Sequence, residues 1–461
     1  MCTVASVMVR RPRLRSLSPL VALAVLSVLS LAARGLLLDE PCQSPCTTAS
    51  EHTLIFDEAY YVNAARVIAG IRPPAGSHYD RSPLRTDPNA EHPQGAKLIM
   101  AAAIEIFGDG PFAWRIGSLL FGSLAILGMY ALVRAAGGGP WSAFGAAALM
   151  ACDNLLLVHG RIATLDIYAV APMVWGVAAY LSGRPGLAGV LLAVADCFKE
   201  VAPYALFVLG LLELGRVLVA WRDRRQPTDW GWRPALRRLV VAVAVSIVGF
   251  VGLLGIMGLI ARPYADAEGR LITGGPIDHL RHMITYAEAL VAPHGATGIA
   301  SYPWQWLVDY KPIVYVRINS SLPGQGLGAI HPVSAFIGMV SPPILALGLA
   351  GVLFALFRLT LAPRLAAGVA TRSAPQLQLA ILGAAWFIGT WAPYQFQSAV
   401  DHRISYLYYM VVVMPGLYVA AVSLASLGWR TGRRWLRWLI AVWSVTVLVA
   451  VVLMYPFVAA F

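Results

Sequence analysis

Residues Leu239–Ile260 run without a single charged side chain. At ~1.5 Å rise per residue, a helix of that length crosses a ~30 Å hydrocarbon core. Val21–Leu31, Ile344–Phe357 and Leu439–Met454 are further apolar runs that approach the same requirement. Hydrophobic residues fill 58% of the 461 positions and charged residues only 13%, about half the ~25% of a soluble domain. Lipid rewards apolar surface, and no water is present there to solvate charge. The chain therefore reads as an all-α polytopic membrane protein forming a single membrane domain over residues 1–461.

About eleven transmembrane helices are predicted, at roughly 17–38, 111–134, 141–158, 163–181, 186–199, 201–221, 235–260, 333–358, 376–396, 404–427 and 435–457. The net charge of +12 would suggest a nucleic-acid partner in a soluble protein. Here it reports arginine-rich cytoplasmic loops, because short loops on that side retain basic residues. With the N-terminus inside, Arg10, Arg134, Arg184, Arg222, Arg358 and Arg430 all fall in cytoplasmic segments. Two long segments, 39–110 and 261–332, then lie outside the cytoplasm. The first carries two amphipathic stretches, Glu58–Ala69 and Lys97–Phe107, expected as helices lying along the membrane interface. The second carries the aromatic cluster Ser301-Tyr302-Pro303-Trp304-Gln305-Trp306, typical of the headgroup zone.

The basic start followed by an apolar run to Leu38 has the ingredients of a signal peptide. The length of the run favours an uncleaved first span. Cys42 and Cys46, four apart in the first outer segment, offer either a small disulfide or two unpaired thiols. A zinc site would need further ligands, and only His52 is close, so no metal is expected.

Charge at the membrane is expensive, about 2.5–3.5 kcal/mol at a helix centre, so retained charges usually work. Four outer clusters stand out. Asp57-Glu58 opens an amphipathic stretch, where a helix N-terminus would also explain acids. Glu91-His92-Pro93-Gln94-Gly95-Ala96-Lys97 opens another, and a snorkelling lysine would explain its end. Asp153-Asn154 and His159-Gly160-Arg161, with Asp166, pack ionisable groups into one hairpin, which an Arg161–Asp166 pair could staple. Asp196, Lys199 and Glu200 form the fourth, with an internal ion pair as the plain explanation. Arg115, Arg161, Lys199 and Arg403 sit near outer span ends, where the charge bias should exclude them. A lipid-linked phosphate would account for them: guanidinium binds it bidentately and ammonium as a point charge.

The order of these segments resembles the protein O-mannosyltransferase family, membrane glycosyltransferases of the GT-C class, in its bacterial form. The family's Asp-Glu pair is matched by Asp57-Glu58. Its His-Pro-Pro-x-Gly-Lys segment is matched by His92–Lys97, with one proline replaced and the lysine one place later. Its Phe-x-x-Arg is matched by Phe112–Arg115, and its Asp-Asn followed by Arg-x-x-x-Leu-Asp by Asp153-Asn154 and Arg161–Asp166. Lys199 resembles the family lysine after the fifth span, although the following Glu200-Val201-Ala202 is unusual. Trp391-Ala392-Pro393 and the Arg403–Tyr409 segment are similar to later family patterns. The second outer segment lacks the large lumenal domain of eukaryotic members.

The resemblance implies a GT-C fold and an enzyme that moves a sugar, mannose first, from a polyprenyl-phosphate carrier to an acceptor hydroxyl on a protein or glycan. It needs no cofactor, because the carrier-linked sugar is a substrate. The expected setting is the plasma membrane, with the site on its outer face, contacts to membrane lipid and no nucleic-acid partner. Asp57 is expected as general base, with Glu58 beside it. Arg161, Lys199, Arg403 and Arg115 are expected to bind donor phosphate. His92, Lys97, Asp153, Asn154, Asp166, Glu200 and Trp304 are expected to bind substrate or support the site. A related transferase of arabinose or aminoarabinose, and a transporter of a lipid-linked substrate, are the alternatives. The absence of an inverted repeat argues against the transporter.

Overall fold

The computed structural model describes residues 18–40, 52–222, 228–319, 333–360 and 374–455. Cys42 and Cys46 lie outside these residues. A helix occupies each predicted stretch: α1 Pro19–Gly35, α4 Pro111–Ala135, α5 Pro140–Cys152, α7 Asp166–Leu181, α8 Pro185–Asp196, α9 Pro203–Arg222, α10 Trp232–Ile260, α13 Pro342–Thr360, α14 Ala374–Val400, α15 Met410–Arg430 and α16 Arg434–Leu453. Among the described residues, six helices are long and apolar enough to cross a membrane. Proline is the first residue of α1, α4, α5, α8, α9 and α13. There its missing N–H has no helical partner to lose, and its fixed φ suits the first turn.

Small residues hold these helices together. A Cβ on Gly351 of α13 would lie 2.4 Å from the Ala420 carbonyl oxygen of α15, and one on Gly189 of α8 would lie 2.6 Å from that of Ala242 in α10. In lipid, apolar surface gives helices no reason to associate, so close backbone approach and dispersion take over. The centre of the bundle is α15, buried from Met410 to Val422. At the periphery, α10 and α16 turn Val248, Leu259, Trp438 and Val452 outward.

Two predictions shift. The span expected over 141–158 is broken at Asp153, whose carboxylate accepts from the Leu155 and Leu156 amides and starts a new short helix, α6 Asn154–His159. The span expected to begin at 333 begins with a strand. β5, Val333–Gly338, pairs antiparallel with β4, Ile313–Asn319, and α13 starts only at Pro342-Pro343, since a residue before proline avoids the helical region.

The long connections meet one another. The first contributes α2, Glu58–Ala69, and α3, Gly95–Phe107. α2 is buried throughout from Tyr61 to Ala69, so it packs inside the protein where the amphipathic pattern predicts a helix lying along the membrane interface. Between these helices, β1 (Thr86–Asp87) pairs parallel with β2 (Arg262–Ala265), which pairs antiparallel with β3 (Arg270–Leu271). The second connection adds α11, Gly275–Ala289, and the single turn α12, Pro303–Trp306. It meets the link between α14 and α15 through backbone bridges Val291↔Arg403 and Ala300↔Tyr406. The first connection meets the link between α8 and α9 where the Gly95 amide donates to the Cys197 carbonyl. All these contacts gather at one end of the bundle.

Candidate active site

Between the joined connections lies a cavity of ≈ 270 Å³. Its wall draws on separate stretches of chain, among them Phe56, Asp57 and Tyr61; Asn89 and His92; Lys199, Glu200 and Tyr204; Tyr286 and Ala287; Arg403, Tyr408 and Tyr409.

Asp57 and Glu58 are adjacent in sequence and opposite in circumstance. Glu58 is fully buried. Its two oxygens take Arg115 Nε and Nη2, both at 2.8 Å, the Ile55 amide at 2.7 Å and the Ala163 amide at 2.8 Å. A buried carboxylate survives when every lone pair has such a partner. Glu58 therefore fastens α2 to α4 and to the hairpin before α7, and it does not reach the cavity. Asp57 lines the cavity, and among the described residues its carboxylate has no hydrogen bond or ion pair. Burial pushes it up to about 6, Lys199 and His92 hold it back, and Asp166 pushes it further up.

The turn that presents Asp57 is strained. Phe56 has φ +55°, which a bulky side chain adopts at a cost of about 1–3 kcal/mol. Its neighbours enforce it. Glu58 holds the Ile55 amide, and the Phe56 ring meets Tyr315 and Tyr408 edge-on at 4.8 and 5.6 Å. On the far wall His402, next to Arg403, also has positive φ, +52°.

Lys199 donates to Asp166 Oδ1 at 2.6 Å and lies 5.1 and 5.4 Å from the ring centres of Tyr408 and Tyr409. Asp166 offsets part of its charge, and the aromatic faces attract the cation without neutralising it, so Lys199 enters the cavity wall as one half of a buried ion pair. The Arg403 guanidinium donates through Nη1 to the Ala287 carbonyl and lines the same wall. His92 Nδ1 lies 2.8 Å from Glu200 Oε1. A carboxylate only accepts, so Nδ1 carries the proton. Burial raises Glu200, but the facing His92 and Lys199 outweigh it and hold it at about 2.

Two basic residues expected at the donor phosphate are engaged elsewhere. Arg115 is spent on Glu58 and on the Leu38 and Glu40 carbonyls. Arg161 is buried and donates to the Leu36 and Leu37 carbonyls at the end of α1; the Arg161–Asp166 staple is not formed, since Asp166 takes Lys199. Lys97 does not snorkel. It is fully buried, 2.6 Å from Asp87, and donates to the Asn89 and His92 carbonyls. It thus shapes the turn that carries His92. Asp153 caps α6 and accepts from the Ser341 amide. Asn154 bridges the Met339 amide and the Met454 carbonyl. Trp304 is 55% exposed, stacks on Tyr302 and is absent from the cavity wall.

The sequence reading missed the tyrosines. Tyr61, Tyr204, Tyr408 and Tyr409 make the wall aromatic, and Tyr394 stacks on Tyr409 at 4.9 Å. Tyrosines near membrane ends are common enough as headgroup anchors that position alone could not mark these. It also missed Tyr315, whose hydroxyl meets His159 Nε2 at 2.6 Å.

Residues 100–256 match the family model described as dolichyl-phosphate-mannose-protein mannosyltransferase. A polyprenol-phosphate-mannose–protein mannosyltransferase of Corynebacterium glutamicum is 34% identical over 26% of this chain and 22% of its own length. One from Mycolicibacterium smegmatis strain MKD8 is 24% identical over 66% of this chain and 65% of its own. The chain thus spans less than two thirds of either relative. Among solved structures, the S. cerevisiae protein O-mannosyltransferase Pmt1-Pmt2 complex bound to the sugar donor aligns with TM-score 0.70 over 96% of this chain and 90% of that one. At 12% identity that is a likeness of fold. The order of motifs, the family match and the shared architecture agree: residues 100–256 are similar to the mannosyltransferase family, and the chain as a whole is a polytopic membrane protein with the fold of that solved O-mannosyltransferase.

Proposed function

We propose that the protein transfers mannose from a polyprenyl-phosphate carrier to a serine or threonine hydroxyl of a protein, with Asp57 as general base. The observation that carries this reading is a carboxylate, Asp57, without a partner among the described residues, lining a cavity that Lys199 and Arg403 also line. The activity for which the relatives are named supports the choice of sugar, carrier and acceptor.

An acceptor hydroxyl is too weak an acid to ionise beforehand, so its proton leaves as its oxygen attacks C1 of the sugar. Asp57 takes that proton. The bond between C1 and the phosphate oxygen breaks, and its electron pair stays on the departing polyprenyl phosphate. Lys199 and Arg403 stabilise the charge that grows there. A single displacement inverts the anomeric centre. Glu58 acts through position: it fixes the turn on which Asp57 stands.

The cavity is assigned to the outer face of the plasma membrane. Support comes from the arginines at the other end of the bundle. Arg134, Arg184, Arg358 and Arg430 sit at helix ends or short links remote from the long connections, as cytoplasmic ends require.

The test is direct. Purified protein is incubated with labelled polyprenyl-phospho-mannose and a serine- and threonine-containing peptide. Label in the peptide is the expected result. Label recovered only as donor or free sugar overturns the proposal.

A further inference from the structure

Glu200 has no place in the chemistry described so far. It directly follows Lys199, it stands where the family resemblance is weakest, and its side chain lines the cavity. One oxygen, Oε1, is held by His92 at 2.8 Å. The other, Oε2, is shielded from solvent and has no hydrogen-bond partner among the described residues. A buried acceptor without a partner costs about 1–3 kcal/mol, a cost that a donor entering the cavity would relieve. The His92 side is itself braced, because buried Lys97 donates to the His92 carbonyl.

The surroundings indicate the ligand. Asp57, Lys199 and Glu200 line the same cavity. A phosphate drawn to Lys199 would hold its attached sugar between base and Glu200. Tyr61, edge-on to His92 at 6.0 Å, and Tyr204 add apolar rings that suit the C–H faces of a pyranose. An ionised carboxylate accepts and never donates, so the group it meets must donate; sugar hydroxyls do.

We infer that Glu200, oriented by His92, is a specificity-determining residue that accepts hydrogen bonds from hydroxyls of the carrier-linked hexose. It therefore selects a neutral sugar and repels an acidic one. Its low proton affinity keeps it an acceptor throughout the neutral and mildly acidic range.

This inference rests on the donor reading above, and binding separates the two. Kd values are measured with the full-length purified protein for a short-chain polyprenyl phosphate and for its mannosyl ester. The wild type should prefer the mannosyl form. Glu200→Gln should cut that preference about tenfold, the loss of one charge-assisted hydrogen bond. It should not lower affinity for the bare polyprenyl phosphate, since it removes an anion from the neighbourhood of Lys199, and retained binding also shows that the variant is folded. A change in both affinities alike, or in neither, overturns the assignment. A shift confined to the KM of the peptide acceptor would place Glu200 against the acceptor and equally overturn it. Failure of the wild type to transfer mannose would defeat the proposed function and leave the binding result standing.

Discussion

Two sets of charges share one end of this bundle. Behind the cavity stand closed clamps: Glu58 with Arg115, and Lys97 with Asp87, each buried and paired. On the cavity wall stand open groups: among the described residues Asp57 has no partner and Glu200 has one oxygen unmet, while Lys199 beside them is paired with Asp166. The residue types are the same. What differs is whether the protein itself supplies every partner. A saturated carboxylate is a structural tie, and an unsaturated one is kept for something that arrives.

The strongest way to break this comparison is Asp57→Asn. It removes a base and no internal contact. Transfer should fall by about 10²–10⁴, while the thermal midpoint in detergent stays that of the wild type. A large loss of folded protein would show that Asp57 belongs with the clamps. Glu58→Ala should do the reverse. It leaves the Arg115 guanidinium buried and uncompensated, a cost of about 3–5 kcal/mol, read as lower folded yield and midpoint. Arg161→Ala should likewise reduce yield, with donor affinity unchanged in the protein that folds.

The pH profile sharpens the same contrast. A base held at about 6 is protonated below that value and cannot accept the acceptor's proton. kcat/KM should therefore rise with pH through a midpoint near 6, dropping about tenfold per unit on the acid side. A rate flat from pH 5 to 8 would remove Asp57 from the role. The smallest effect is expected at Trp304→Ala. An exposed ring off the cavity wall is worth about 0.5 kcal/mol or less, so activity should change about twofold at most.

Much of this architecture could be read from the chain. Helix α2 falls at Glu58–Ala69, where the amphipathic pattern places it, and the apolar runs mark the long helices because periodicity is local. The site was legible in part. Outer-face charge exposed Asp57, Lys199, Glu200 and Arg403, all of which line the cavity. The same signal drew in Arg115 and Arg161, whose partners come from distant stretches: Glu58 and the carbonyls that close α1. Sequence shows that a charge is retained; it does not show what occupies it. The left-handed turn at Phe56 was beyond reach for a similar reason, since no glycine or asparagine announces it and it is imposed by the Glu58 bond to the Ile55 amide and by packing against Tyr315 and Tyr408.

The cavity wall runs from Phe56 to Tyr409 along the chain, and that span has a consequence for biosynthesis. A ribosome-bound chain that has emerged only through α13 already carries Asp57, Lys199 and Glu200, but it lacks Arg403 and the paired tyrosines. No partial product can hold the complete set. The wall closes only where the stretch between α14 and α15 bridges the second long connection, so truncation anywhere before Tyr409 removes part of it.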